Sequence, residues 1–324
     1  MDKMKLIIDV DPGIDDSLAL LLAGLSPEID LLAITVVSGN IEVNQAARNA
    51  RFAMNLIDRN DVLIAKGCAL PLHRNYVDAT DTHGKDGIGE IYFPSEEPLD
   101  HGSATEVITQ LLRQYPHQIT IAALGPLSNL ATIINQDAEV CSLAKEIIIM
   151  GGSVKVCGNC SPVAEYNFWC DPDAAKIFFD AQLANVTLVP LDVTYKIRLT
   201  PDMREMIRQF KTPLSQFVVD ITGFYVDFHW AQERTLGCVI NDPLVIAYLL
   251  DRRILSFKKG YVQIETKGMA IGESVVEFRE TDPKKLTNIA QSVDSKTFFE
   301  VFLTRLFNKN EVDIQLMIEK RMIL

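Results

Sequence analysis

Residues 9–16 read DVDPGIDD and place four carboxylates, Asp9, Asp11, Asp15 and Asp16, within eight positions. They follow directly on an apolar run that begins at Met4 and ends at Ile8. Like charges this close repel, and a buried carboxylate without a partner is strongly disfavoured. Pro12 fixes φ and Gly13 permits unusual φ, so a tight turn here can aim several oxygens at one point. Some of the charge has an ordinary use. Asp15 and Asp16 fall where the next helix should begin, and acids favour the first turn. Capping accounts for one or two acids and leaves the others unexplained. A hard divalent cation accounts for the whole set, because Ca2+ gathers about six to eight oxygens, from carboxylates and carbonyls alike.

The elements that must position these acids can be read from the pattern. Short apolar runs over residues 5–10, 31–37, 62–65, 119–123, 146–150 and 186–191 predict strands. Between them, residues 16–25, 43–57, 104–114, 127–135 and 172–181 carry helical spacing. This alternation predicts an α/β fold, a mainly parallel central sheet flanked by helices with a Rossmann-like core. Residues 201–250 read mostly helical, with an amphipathic run over 215–233 followed by 243–250. Residues 260–265 and 274–278 predict a late strand pair, and 295–307 and 310–318 two closing helices. No low-complexity linker interrupts the chain, so residues 1–324 are read as one domain. Ligands of open α/β sheets bind beyond the carboxyl ends of the strands. DVDPGIDD, VSGN (37–40), ALGPLSN (123–129) and MGG (150–152) all follow predicted strands and should crowd one rim. The long segment 67–102, which contains His83, lacks strong periodicity and reads as a functional loop.

Composition narrows the function classes. The chain has 43 acids against 31 bases, a formal net charge of −12. That balance argues against nonspecific nucleic-acid or anionic-membrane binding and suits a soluble protein that binds cations. No apolar run reaches the length of a membrane span, and the first residues enter a strand at once without a leader pattern. Six scattered cysteines predict reduced thiols and a cytoplasmic setting. Cys157 and Cys160 match C-x-x-C, but they lie in a loop with no second pair, so structural or incidental thiols are the plain reading.

DVDPGIDD followed by SLALLLA resembles the signature of the inosine-uridine-type nucleoside hydrolases. VVSGN, HGKDGIG (83–89), ALGPLSNLA, IIMGGS, GNCSPVAEYNFWCDPDAA (158–175) and NDPLVIAY (241–248) resemble further family motifs, in the family's order. The resemblance implies Ca2+-dependent hydrolysis of the N-glycosidic bond of a ribonucleoside to ribose and free base, in nucleoside salvage or catabolism. It implies carboxylate ligands from Asp11, Asp16 and Asp242 and a backbone carbonyl from Leu124. A water would be the nucleophile and Asp11 its general base. Asp15, Asn40, Asn159, Glu165 and Asn167 would hold the ribose, although loop capping is the ordinary use of Asn159, Glu165 and Asn167. His83 would reach the base or the ribose. The family is usually a homodimer or homotetramer, which sets the expectation for this chain.

At one position the chain departs from the pattern. Well-known members carry a His immediately before the late Asp, acting as acid toward the departing base; here that residue is Asn241. An amide hydrogen-bonds but does not deliver a proton. In FYVDFHWAQE, His229 is the candidate substitute acid, Tyr225 a candidate donor, and Trp230 or Phe228 candidate stacking partners, while the apolar spacing there equally suits core packing. Two alternatives follow. The chain is a riboside binder with weak or no turnover, or, since D-x-D after a first strand also opens dehalogenase-type phosphatases, it is one of those. The turn Pro12-Gly13 and the lack of a late acidic pair after a strand set it apart from the latter.

Overall fold

The computed structural model describes residues 3–94, 102–279, 286–308 and 311–319. The apolar runs form β1 (Met4–Val10), β2 (Ile29–Val36), β3 (Leu63–Lys66), β4 (Ile119–Ala123), β5 (Glu146–Met150) and β6 (Val186–Val189). Then come β7 (Arg198–Leu199), β8 (Cys238–Val239), β9 (Leu255–Ile264), β10 (Ser274–Glu277) and β11 (Thr287–Val293). Nine of these make one sheet in the order β10-β9-β11-β6-β5-β4-β1-β2-β3, and β7 pairs with β8 apart from it. From β3 to β6 every pairing is parallel, and β11 also runs parallel to β6. The antiparallel pairings of the large sheet are those of β9, with β10 and with β11.

Alternation along β1 shows how the sheet is covered. Leu6, Ile8 and Val10 enter the apolar cluster that includes the helices Ile14–Leu25, Val43–Leu56, Pro243–Leu250 and Ser295–Leu306. Ile7 enters the opposite cluster, with the helices Ala104–Gln114, Ser128–Gln136 and Pro172–Asp180. Both faces of β1 are therefore dry, which is why Leu6, Ile7 and Ile8 follow one another as an apolar run rather than alternating with polar residues. β1 sits between β2 and β4, so the chain winds away from it in both directions. Such a reversal of strand order opens a crevice at the carboxyl ends. The turns after β1, β2, β4 and β5, at residues 11–13, 38–40, 124–126 and 151–153, meet there.

Three sequence expectations need correction. The strand at 186–191 stops at Val189, because Pro190 has no N–H to give a ladder, and Leu191–Thr194 forms a helical turn. Of the late pair, β9 is longer than expected and β10 ends one residue early, and β11 was not anticipated at all; it lies between β9 and β6 and joins the hairpin to the main sheet. Its sequence TNIAQSV offers few large apolar residues, and only Thr287, Ile289 and Ala290 are buried. The region 201–250 divides into the helices Pro201–Gln209, Pro213–Glu233 and Pro243–Leu250, with β8 before the last. Of the closing helices, Ser295–Leu306 and Glu311–Glu319 are observed. Within the long loop a short helix, Thr80–His83, carries His83 inward, while residues 95–101 lie outside the described residues. No helix among the described residues is long and apolar enough to cross a membrane.

Candidate active site

Asp11 is completely buried at the end of β1, between the turns that follow β2 and β4. Its Oδ2 accepts the backbone N–H of Asn40 at 2.8 Å. A Cβ on Gly39 would stand 2.0 Å from that Oδ2, and one on Gly125 would stand 2.5 Å from Oδ1. Both turns thus need glycine to let their backbone close on the carboxylate. Asn40 also donates from Nδ2 to Asp16 Oδ2 at 2.8 Å, tying the two acids together. Gly13 N donates to the same Asp16 oxygen at 2.9 Å and completes the start of the helix Ile14–Leu25.

Each acid therefore spends one oxygen on the fold. The other, Oδ1 of Asp11 and Oδ1 of Asp16, is buried without a hydrogen-bond partner. Asp9 repeats the pattern: Oδ1 accepts from Thr35 at 2.6 Å and from Asn129 at 2.8 Å, and Oδ2 is bare. One carboxylate oxygen from each of Asp15, Asp16 and Asp242 lies within 4.8 Å of the others, and all three residues are buried. Asp15 Oδ2 is already held by the backbone and side-chain N–H groups of Asn241, each at 3.0 Å, and by the Tyr225 hydroxyl at 3.4 Å.

Burial with so little positive compensation shifts these groups. Burial first, then the charge of Asp16, holds Asp11 well above the usual carboxylate range. Burial and then Asp15 push Asp16 up to about 7. Asp242 is raised well above its ordinary value by burial and then by Asp15, Asp16 and Asp11. Asp9 is pushed up to about 6 by burial, against the opposing hydrogen bonds of Thr35 and Asn129. A cluster of this kind is unfavourable as it stands and matches what a cation would relieve. The donors are all hard oxygens, including two that nothing else uses, and they fit a hard divalent cation rather than a thiophilic one.

The acids form the floor of a cavity of about 540 Å³. Of the residues expected at the site, Asp15, Asn40, His83, Leu124, Asn159, Glu165, Asn167, His229, Asn241 and Asp242 all line it. Asp11 and Asp16 lie beneath, fully enclosed. The Leu124 carbonyl accepts from Asn167 Nδ2 at 2.6 Å and keeps its second lone pair. Glu165 is the N-cap of the helix Tyr166–Cys170, accepting from Asn167 N at 2.8 Å and from Gly152 N at 2.9 Å. Burial pushes it up to about 7 in spite of those bonds. Asn159 is exposed, and its Oδ1 accepts from Tyr166 N at 2.9 Å. Capping is therefore real for Glu165 and Asn159, and it coexists with a place on the cavity wall.

The histidines differ in how they are wired. His83 Nδ1 faces the backbone N–H of Ile14 at 3.1 Å and must accept, so its one proton sits on Nε2. Burial lowers its proton affinity further. His229 Nδ1 faces the Tyr225 carbonyl at 2.8 Å and must donate, while Val239 N–H points at Nε2 from 3.4 Å. The stacking expectation for Trp230 does not hold. Trp230 is 48% exposed on the outer side of the helix Pro213–Glu233, near Arg234, and does not line the cavity. Phe228, two positions earlier, does, roughly parallel to the Tyr225 ring with centroids 6.5 Å apart. On one helix a two-residue step turns a side chain by more than half a revolution, so the two aromatics cannot both face in.

Several residues here were not singled out from sequence. Tyr166 donates from its hydroxyl to the carbonyls of Gly39 at 2.6 Å and Val77 at 2.9 Å, pinning the long loop to the turn after β2. Asp78 and Asp81 bring further acids to the mouth. Gly39 sits inside the quoted VSGN, and its sequence signal was present without its geometric reason.

A family model described as "Inosine-uridine preferring nucleoside hydrolase" matches residues 6–300. The chain is 36% identical over 300 residues to an inosine-uridine preferring nucleoside hydrolase of Leishmania major, covering 91% of this chain and 95% of the relative. It is 35% identical over 275 residues to Uridine nucleosidase 1 of Arabidopsis thaliana, covering 84% and 82%. Among solved structures, a purine-preferring ribonucleoside hydrolase from Gardnerella vaginalis superposes with a TM-score of 0.89 at 30% identity, over 95% of this chain and 99% of that one.

Proposed function

The chain belongs to the inosine-uridine preferring nucleoside hydrolase family and is an N-ribosyl hydrolase, and on that premise we propose that it uses Ca2+ to hydrolyse ribonucleosides to ribose and free base. The observation that carries the reading is the pair of bare buried oxygens, Asp11 Oδ1 and Asp16 Oδ1, beneath a cavity floor of further acids. Asp11, Asp16, Asp242 and the Leu124 carbonyl are the residues that would hold the ion. When bound, Ca2+ offers Lewis-acid activation of a water and an anchor for the ribose hydroxyls.

The chain's own residues supply the rest. Asp11 Oδ1, the oxygen that the fold does not use, is the acceptor for the proton of the attacking water. Asp15, Asn40, Glu165 and Asn167 offer the mix of acceptors and amides that vicinal hydroxyls require, and Asn159 closes the rim. As the bond to the base breaks, the ribose gains positive charge, which the surrounding carboxylates stabilise. Asn241 fixes Asp15 through its backbone N–H and one side-chain N–H.

A panel of ribonucleosides assayed for base release, with and without chelator, tests the reading. Release that depends on calcium and is lost in Asp11→Asn is the expected result. Ribose binding without release from any riboside would establish the binder instead.

A further inference from the structure

We propose that this site favours ribosides whose base already carries a positive charge, such as N-ribosylpyridinium or N7-alkylated purine ribosides. The inference rests on the hydrolase reading and narrows its substrate class. A neutral base leaves as an anion unless a proton reaches it, whereas a cationic base takes the electron pair of the C1′–N bond and leaves neutral. In the second case water adds its oxygen to C1′, the C1′–N bond breaks, and the one proton released passes through Asp11 to solvent. No acid is required.

Among the described residues, neither Asn241, the two histidines nor the hydroxyls of Tyr225 and Tyr166 direct an acidic proton into the cavity. Asn241 has no acidic proton, and its backbone N–H and one of its side-chain N–H bonds point at Asp15 Oδ2. His83 cannot take a second proton without setting an Nδ1–H against the Ile14 N–H. His229 holds its proton on Nδ1 against the Tyr225 carbonyl, and its Nε2 faces the Val239 N–H. The Tyr225 hydroxyl is directed at Asp15, and that of Tyr166 at two backbone carbonyls.

The wall chemistry points the same way. Among the described residues six carboxylates line the cavity, Asp15, Asp78, Asp81, Glu165, Glu233 and Asp242, and no lysine or arginine does. Asp78, Asp81 and Glu233 are exposed at the mouth and are not needed to hold an ion on the floor. Tyr225 and Phe228 add aromatic faces, and a cation over such a face is attracted by the ring.

A matched pair tests this: guanosine and 7-methylguanosine differ by one methyl group and one positive charge. The expected result, with calcium present, is a kcat/KM at least ~100-fold higher for 7-methylguanosine, the lower range of what a general acid would otherwise supply to the neutral substrate. In equilibrium competition, N-methylpyridinium-3-carboxamide should bind more tightly than neutral pyridine-3-carboxamide. The double variant Asp81→Asn with Glu233→Gln should narrow the KM difference within the nucleoside pair. Guanosine cleaved as fast as its methylated partner would overturn the proposal and leave the hydrolase reading standing. 4-Nitrophenyl riboside, an uncharged substrate whose leaving group departs as the stable 4-nitrophenolate without a proton, separates the remaining cases. Its cleavage without that of 7-methylguanosine also overturns the proposal alone. Failure of all three substrates overturns the hydrolase reading and this proposal with it.

Discussion

Asp16 and Glu277 both lie near strand ends, one in the first turn of the helix that follows β1 and one closing β10, yet folding moves them in opposite directions. Burial and Asp15 push Asp16 up to about 7, while Arg279 brings Glu277 down to about 2. Glu277 lies beside a guanidinium two residues on, with Arg279 Nη2 2.6 Å from its Oε2. Asp251 and Arg253 repeat the arrangement at 2.6 Å near the start of β9. These late acids are solvated and locally neutralised, and they ask nothing of the rest of the fold. The rim acids have no lysine or arginine beside them in the cavity wall, among the described residues, and keep bare oxygens in the dry interior. The fold tolerates that arrangement because Asn40, Gly13, Thr35 and Asn129 satisfy one oxygen of each of Asp9, Asp11 and Asp16. Acids kept half-satisfied on the cavity side mark the functional end of the sheet; acids satisfied in pairs mark its structural edge.

Substitutions should separate the two regions by the size of their effects. Asp11→Asn removes the open acceptor and should lower kcat by ~10³-fold, within the range for a lost general base; steady-state kinetics on a cleaved riboside would measure it. A variant with near-native kcat would show that Asp11 is structural. Gly39→Ala leaves every acid in place but drives a Cβ into Asp11 Oδ2. The expected loss is ~10²-fold, as for a misplaced catalytic group, together with a weaker calcium-induced rise in melting temperature.

A third prediction concerns pH. A carboxylate whose folded pKa lies above its unfolded value stabilises the fold at low pH, and that contribution fades as pH rises through the folded pKa. Asp9 moves from 3.8 to about 6, Asp16 from 3.8 to about 7 and Glu165 from 4.5 to about 7. Calcium-free protein should therefore melt at progressively lower temperature between about pH 4 and pH 7. Saturating Ca2+ should raise the melting temperature by several degrees at pH 7.5 and by much less at pH 5, as expected for a ligand that binds only the folded, ionised site. Scanning calorimetry at the two pH values, with and without chelator, checks the sign. A calcium-free protein more stable at pH 7.5 than at pH 5 would contradict it. The smallest effect belongs to Glu277→Gln, which should leave activity and melting temperature unchanged within error, since an exposed ion pair contributes little.

Much of this arrangement was legible from one sequence. The parallel core and its rim followed from continuous apolar strands between helical segments, because strands covered on both faces cannot alternate. β11 was not legible, because a strand held mainly by its neighbours' ladders needs little apolar sequence of its own. Most of the expected site residues do gather at one cavity. Trp230 was misplaced, because residue type suggests stacking while only the rotation of its helix decides which aromatic faces inward, and that face is Phe228's.

Four acids in eight residues, with Pro12 and Gly13 among them, determined by themselves that the end of β1 would carry unusual negative charge. The motif order determined the family. What the sequence could not assign was the job of each oxygen. Asp11, Asp15 and Asp16 are the same residue type within one turn, and their roles separate only when Asn40, Asn241 and the backbone of Gly39 arrive from other strands to occupy one oxygen or approach another. The wiring of His83 and His229 was decided in the same way, by the Ile14 and Val239 amides and the Tyr225 carbonyl. Hydrogen bonds across 29, 69 or 226 residues of chain depend on tertiary packing, and it is those bonds that turn a cluster of like acids into a site with distinct parts.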